Sequence, residues 1–431
     1  MNTTFCILGG AGDLAGRLLI PGIAQYLEQY DRYGVRLLGV GREDVDYPAF
    51  VRESLSTAGT ALNDDRLADS ASFIAGDATD PATLNTIVSA AADTRLVLYF
   101  ALAPAVIKEA VDALADVDLP QDTILAIEKP FGTSASEADE LDAALADLLP
   151  EEQIVRIDHF LHETPVINLV GLLRTTAPVA NSWNSQSIES ITVLFDEDLT
   201  LEGRADFYES TGAAVDMLQS HLLQSLARVL AGGGPANEIL DAMEYVDGSA
   251  RRARYTAGEI DGERVPSYVD EEGVDPDNET ETLAQFQVRV DTEQWRDTVF
   301  TLRSGKAIGN PRQEFEITYR DLDSNPDQDA DPARLIVPFK DALALEVPVP
   351  DHGRAGETTN VTLTAAADSS ELTPYGRVAR GILNEDDSVG VDKGAPQRAW
   401  RIMEPVLEAF EQGTAPMEEY PAGSQGPDGW L

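Results

Sequence analysis

The sequence predicts a two-part α/β protein: a Rossmann-type, doubly wound parallel sheet, then an α+β domain with a large, mostly antiparallel sheet. Three observations predict it. About the first 150 residues alternate short apolar runs with stretches of helical periodicity. A glycine-rich turn separates the first apolar run from the first helical stretch. Beyond Ile167 the pattern changes to alternation of apolar and polar residues, as in an antiparallel sheet with one covered face. A chain of 431 residues exceeds one ordinary core, and the change of pattern divides it into 1–158 and 159–431.

In the first part, Thr4–Leu8 reads as a strand, Leu14–Tyr30 as an amphipathic helix and Val35–Val40 as a second strand. Pro81–Ala92 and Pro104–Leu114 follow as helices, Leu96–Ala101 and Thr123–Glu128 as strands. Strands separated by helices of this length give a parallel sheet. In the second part, Ser187–Phe195, Leu283–Val290, Thr298–Leu302, Glu314–Arg320 and Asn360–Ala366 read as strands, with helices at Ala213–Leu230 and Gln397–Gln412. The acidic, proline-containing stretches Val269–Thr280 and Asp321–Pro332 read as surface loops.

Composition narrows the function. With 43% apolar and 25% charged residues the chain is globular, and its apolar runs are too short for a membrane span. The N-terminus has no basic region of a signal peptide, and the lone Cys6 belongs to the first strand. A cytoplasmic protein is the expectation. The net charge is −45, with 31 basic residues against 76 acidic ones. Nucleic acid and acidic membranes are poor partners for such a surface. The acidity fits a salt-adapted cytosol, where a Debye length of about 3 Å at 1 M screens self-repulsion; an alanine- and aspartate-rich proteome is the alternative. Only five basic residues are lysine and only four residues are histidine, so the position of each is informative.

Gly9-Gly10-Ala11-Gly12-Asp13-Leu14-Ala15 lies between the first strand and first helix. Gly10, Gly12 and Ala15 satisfy G-x-G-x-x-G/A, in which small residues allow the turn, the approach to a pyrophosphate and helix–strand packing. Gly9, Gly10, Gly12, Asp13 and Leu14 are therefore the expected dinucleotide contacts, with the helix N-terminus facing the phosphates. Arg42 follows the second strand, where an arginine suits the 2′-phosphate of NADP. Glu43 and Asp44 come next and would accept from the 2′-hydroxyl of NAD. NADP is the expected cofactor, with NAD open.

Hydride loss from a carbinol carbon requires a base for the hydroxyl proton, and imidazole suits that near neutrality. His159 and His162 lie in Arg156-Ile157-Asp158-His159-Phe160-Leu161-His162-Glu163-Thr164, and His221 follows Gly212–Ser220. A buried carboxylate would fix the tautomer of the base, but spacing alone does not choose among the three.

Seven segments carry a resemblance. Gly9–Arg17, Glu128-Lys129-Pro130-Phe131-Gly132, Arg156–Leu161, Gly212–His221, Arg303-Ser304-Gly305-Lys306, Ala399-Trp400-Arg401-Ile402 and Ala422-Gly423-Ser424-Gln425-Gly426-Pro427 resemble, in order and approximate spacing, the successive motifs of glucose-6-phosphate dehydrogenases. The resemblance runs from end to end, with shortening mainly in the C-terminal half. It implies that His221 removes the C1 hydroxyl proton of glucose 6-phosphate, giving a lactone, and that Asp158 orients it. It also implies that Lys129 lies between nicotinamide and sugar, and that Glu197 and Asp216 accept from sugar hydroxyls. His159 and Lys306 would hold the substrate and its phosphate. A homodimer or homotetramer built through the large sheet is implied, and a metal is not. Taken singly, Asp158 could be a buried cap, His221 a core histidine and Asp216 a helix-surface acid.

One segment departs from the pattern. The family continues from histidine into Tyr-Leu-Gly-Lys-Glu, whereas this chain places Phe160 at the tyrosine and Glu163 at the lysine, both of which grip the phosphate. Arg312 lies slightly late for the second basic residue expected after Lys306. Exchanging lysine for glutamate reverses a contact worth roughly 4 kcal/mol at about 4 Å and an effective dielectric near 20. Three readings follow. Glu163 turns outward while His159, His162 and Arg312 replace the grip; or the substrate is a non-phosphorylated or otherwise modified aldohexose; or the chain is a non-catalytic paralogue with a regulatory role.

Overall fold

The computed structural model describes residues 2–30, 34–58, 65–321, 331–340, 342–351, 358–365, 372–386 and 389–431. The chain divides into two compact units, Met1–Glu163 with Ser370–Gln397, and Thr164–Ser369 with Arg398–Leu431.

The first unit is built on six parallel strands, β1 (Thr3–Leu8), β2 (Val35–Gly41), β3 (Ser72–Ala75), β4 (Arg95–Phe100), β5 (Ile124–Glu128) and β6 (Ile154–Ile157), in the order β3-β2-β1-β4-β5-β6. This is the strand order of dinucleotide-binding sheets, with the switch point between β1 and β4. Every residue of β1, β4 and β5 is buried, because helices cover both faces of a parallel sheet. Alternate side chains serve opposite cores. Phe5 and Ile7 pack with Leu19, Ile23 and Tyr99, while Cys6 and Leu8 pack with Leu98, Ile107 and Val111.

The compact units differ from the boundary expected after Asp158 in two ways. The first unit runs on to Glu163, and the chain returns to it at residues 370–397. The reason is an uncovered sheet face. Tyr375, Val378, Ala379 and Ile382 of helix Pro374–Asn384 fill the core that holds Phe5 and Ile7. That helix approaches helix Ile20–Gln29 so closely that a Cβ on Gly22 would lie 2.7 Å from Gly376 N. Beyond it, Val391 N donates to Arg156 O at 2.8 Å and covers the edge of β6.

The second unit carries a sheet of ten strands among the described residues. They are β7 (Ile188–Asp196), β8 (Met243–Tyr245), β9 (Arg251–Thr256), β12 (Leu283–Val290), β13 (Val299–Gly305), β14 (Gln313–Tyr319), β15 (Arg334–Pro338), β16 (Leu343–Pro350), β17 (Thr358–Ala365) and β18 (Met417–Pro421), with a separate hairpin of β10 (Gly258–Ile260) and β11 (Glu263–Val265). The order is β17-β16-β15-β14-β7-β13-β12-β9-β18, and β8 also pairs with β12. Pairing is antiparallel except at β7–β13 and β9–β18. The expected helix Ala213–Leu230 is two helices of different pitch, a π-helix at Ala214–Leu222 and an α-helix at Leu223–Leu230. Most of the acidic stretch Asp321–Pro332 and the histidine at 352 lie outside the described residues. Among the described residues, no helix is long and apolar enough to cross a membrane.

Candidate active site

The glycine turn stands at the end of β1. Gly9 and Gly10 both donate their N–H to Val40 O, at 2.9 and 3.0 Å, which ties the turn to the end of β2. Gly9 has φ +83°, and a Cβ there would lie 2.3 Å from Ala101 O. A Cβ on Gly10 would lie 2.6 Å from Gly39 Cα. Both positions therefore require glycine. Ala15 is buried in the core, and the helix opens at Asp13 and Leu14, so its first-turn amides face the space a pyrophosphate needs. Arg42 is exposed directly after β2. Its charge reaches Asp77, whose carboxyl is held below the usual range chiefly by the Thr79 amide and hydroxyl and also by Arg42.

The segment after β6 forms a second cluster in the same unit. Asp158 is fully buried and accepts from Phe160 N at 3.0 Å, which starts the short turn His159–His162. Burial pushes its carboxyl up to about 6, against the opposing charges of His159 and Lys129. Lys129 follows β5 and is joined to Pro130 by a cis peptide bond. Its neighbour Glu128 accepts from the Tyr99 hydroxyl and is pushed up to about 7 by burial. The Tyr375 hydroxyl lies 3.3 Å from Glu128 Oε1 and 3.4 Å from His159 Nδ1, and its ring stacks on His159 at 5.0 Å. Phe160 is 5% exposed; it packs inward and presents no polar group. His162 Nε2 lies 2.7 Å from Val389 O. Glu163 closes the turn with its N–H on Phe160 O at 3.1 Å. Its charge acts on Arg377, a half-buried arginine that also donates to His162 O.

The second unit holds the remaining expected residues. Parallel pairing of β7 and β13 in the register Asp196↔Gly305 delivers Glu197 and Lys306 side by side at the same sheet end. Lys306, 4% exposed, donates to Glu197 Oε2 at 2.7 Å and lies 5.5 Å above the Tyr208 ring. The π-helix Ala214–Leu222 packs on β12 and β13 and carries Asp216 and His221. Residues five apart point about 140° apart around an α-helix. The wider i→i+5 coil brings them to nearly one side, and the Ser220 hydroxyl bonds Val215 O, five residues back, at 2.9 Å. Arg312 is engaged by acids of β14: Nε donates to Glu314 Oε1 at 2.8 Å and Nη2 reaches Glu316. To grip a phosphate it would have to leave both.

Four residues were missed from the sequence. Tyr375 and Arg377 lie more than 200 residues beyond the segment they touch, so spacing carries no trace of them. Tyr208 and Glu281 lack a motif. Burial raises the Tyr208 hydroxyl, and Glu281, Asp216 and Glu197 raise it further, which places it amid the acids of this cluster.

A six-stranded parallel sheet with a glycine turn at its switch point, followed by a sheet domain bearing a buried lysine and histidine, defines a nicotinamide-dinucleotide-binding oxidoreductase. Residues 6–168 match the family described as glucose-6-phosphate dehydrogenase, NAD binding domain, and residues 175–430 match glucose-6-phosphate dehydrogenase, C-terminal domain. The chain belongs to the glucose-6-phosphate dehydrogenase family. It is 30% identical to the glucose-6-phosphate 1-dehydrogenase of Gluconobacter oxydans (strain 621H), over 98% of this chain and 94% of that one. A glucose-6-phosphate 1-dehydrogenase crystal structure from Mycobacterium avium matches with a TM-score of 0.85 at 27% identity, covering 99% of this chain and 95% of that one. A glucose-6-phosphate dehydrogenase in complex with glucose-6-phosphate matches with a TM-score of 0.87 at 25% identity, covering 99% and 96%.

Proposed function

We propose that the protein oxidises C1 of glucose 6-phosphate to the lactone, with NADP as the favoured hydride acceptor. His221 takes the C1 hydroxyl proton as hydride leaves the same carbon for the nicotinamide, and the C1–O bond becomes the lactone carbonyl. By the family resemblance, Asp158 would fix the base and stabilise its imidazolium. Lys129 would stand between nicotinamide and sugar, and Glu197 and Asp216 would accept from sugar hydroxyls. His159 and Lys306 hold the sugar and its phosphate. Arg377, beside Glu163, supplies the positive charge that a lysine at 163 would have carried. Gly9, Gly10, Gly12, Asp13 and Leu14 receive the pyrophosphate, and Arg42 the 2′-phosphate. The cofactor, when bound, supplies the hydride-accepting ring. The reading extends to a cytoplasmic homodimer or homotetramer.

The observation that carries this reading is the π-helix bearing Asp216 and His221, which packs on β12 and β13 of the sheet that ends in Glu197 and Lys306. The experiment is an absorbance assay of nucleotide reduction with glucose 6-phosphate and with glucose, each with NADP and NAD, in wild type and His221→Asn. Phosphate-dependent turnover that disappears in His221→Asn is expected; turnover that survives the substitution overturns it. A non-phosphorylated hexose is favoured by a separate observation, the engagement of Arg312 by Glu314 and Glu316. Preference for glucose in the same assay would select that reading.

A further inference from the structure

Glu281 has no part in the assignment above, yet the helix bearing Asp216 and His221 begins on it. The residue lies just before β12 and is 7% exposed. Its Oε1 accepts from Ala214 N at 2.9 Å, and its backbone carbonyl accepts from Ala213 N at 3.2 Å. Gly212 makes the approach possible. It holds φ 57°, ψ −174°, a region open to glycine alone, and a Cβ there would lie 2.2 Å from Glu281 Oε1.

The adjoining residue grips the other half of the cluster. Thr282 O accepts from Lys306 N at 2.8 Å. The Tyr420 hydroxyl bridges the same two residues, 2.9 Å from Thr282 Oγ1 and 2.7 Å from Lys306 O. Two consecutive residues thus hold the π-helix and the substrate lysine in one frame. An acid at a helix N-terminus is an ordinary cap worth about 1 kcal/mol. This one differs because it is buried, sits behind a glycine that both its side chain and the local backbone require, and controls the origin of a helix two residues before Asp216.

We propose that Glu281 is a positioning residue for the reaction: through Ala213 and Ala214 it sets the reach of Asp216 and His221 relative to Lys306. The proposal rests on the roles given above to those three residues.

The test uses the full chain, with Glu281→Ala, Glu281→Asp and Glu281→Gln compared with wild type and His221→Asn. Each is assayed for kcat and KM with glucose 6-phosphate and for Tm. A misplacement on the order of 1 Å costs up to about 10²-fold in rate. The expected result is a fall of kcat of that size in Glu281→Ala and in Glu281→Asp, whose carboxylate is one methylene short, with nucleotide affinity unchanged. Glu281→Gln keeps an acceptor at the same reach and restores most of kcat. Should Glu281→Ala fail to fold, the contrast between Asp and Gln carries the test. Wild-type kcat in Glu281→Asp, or loss in Gln equal to that in Asp, overturns the positioning role. An active His221→Asn instead defeats the assignment on which the proposal rests, whatever the Glu281 variants do.

Discussion

Glu163 decides how the substrate question is posed at the scale of single residues. By the resemblance a glutamate stands where the family has lysine, and its charge acts on the half-buried Arg377. Arg377→Ala is expected to raise KM for glucose 6-phosphate by tenfold or more, since a hydrogen bond to a charged group contributes about 1.5–3 kcal/mol. KM for glucose should stay unchanged; equal effects on both sugars would remove Arg377 from the phosphate site. His221→Asn should lower kcat by about 10²–10⁴-fold, the usual contribution of a general base. Buried carboxyls make a further residue-scale prediction. Glu128 is raised from 4.5 to about 7 by burial, so the folded state holds a proton that the unfolded state releases. Stability from this group is full below pH ~4.5 and is lost as pH rises through ~7. Tm should therefore fall between about pH 5.5 and pH 8, and fall less in Glu128→Gln.

Two turns control the site at the scale of elements. Gly9 and Gly10 in the turn after β1 are closed to a Cβ by backbone atoms of Ala101 and Gly39. Gly9→Ala is expected to abolish nucleotide binding in a fluorescence titration with reduced nicotinamide nucleotides. Gly212→Ala places a strained backbone and a Cβ against Glu281 Oε1. It should cost roughly 1–3 kcal/mol of stability, read from denaturant unfolding, and a neutral result would mean that the helix start tolerates displacement. The arginines that open two of the family-like segments are structural. Arg156, 2% exposed, pairs with Asp142 and Glu151. Arg303, 1% exposed, pairs with Asp196 at 3.2 Å and donates to Gln425 O at 2.8 Å, which anchors the Ala422–Pro427 segment. Each is a buried cation whose removal would leave carboxylates uncompensated.

The net charge of −45 acts at the scale of the whole molecule. Self-repulsion among exposed acids is felt over a Debye length of about 10 Å at 0.1 M salt and about 3 Å at 1 M. Tm should rise by several degrees on raising potassium chloride across that range, and a salt-independent Tm would refute adaptation to high salt. At this scale the sequence determined the order of elements, the glycine turn and the change from parallel to antiparallel architecture, because periodicity and backbone freedom are local properties. Pro104–Leu114 and Leu283–Val290 fall where the pattern places them. It also determined the family, since seven ordered segments survive divergence elsewhere. What only the tertiary structure decided depends on contacts between distant segments. Residues 370–397 return to the first unit because an apolar sheet face there needed covering. Tyr375 and Arg377 arrive beside His159 and Glu163 with that return, Arg312 is claimed by acids of the strand that follows it, and a π-helical pitch replaces the α-helical one between Asp216 and His221. Charge, burial and helix pitch at a site are set by what packs against it, and a linear pattern does not record its neighbours.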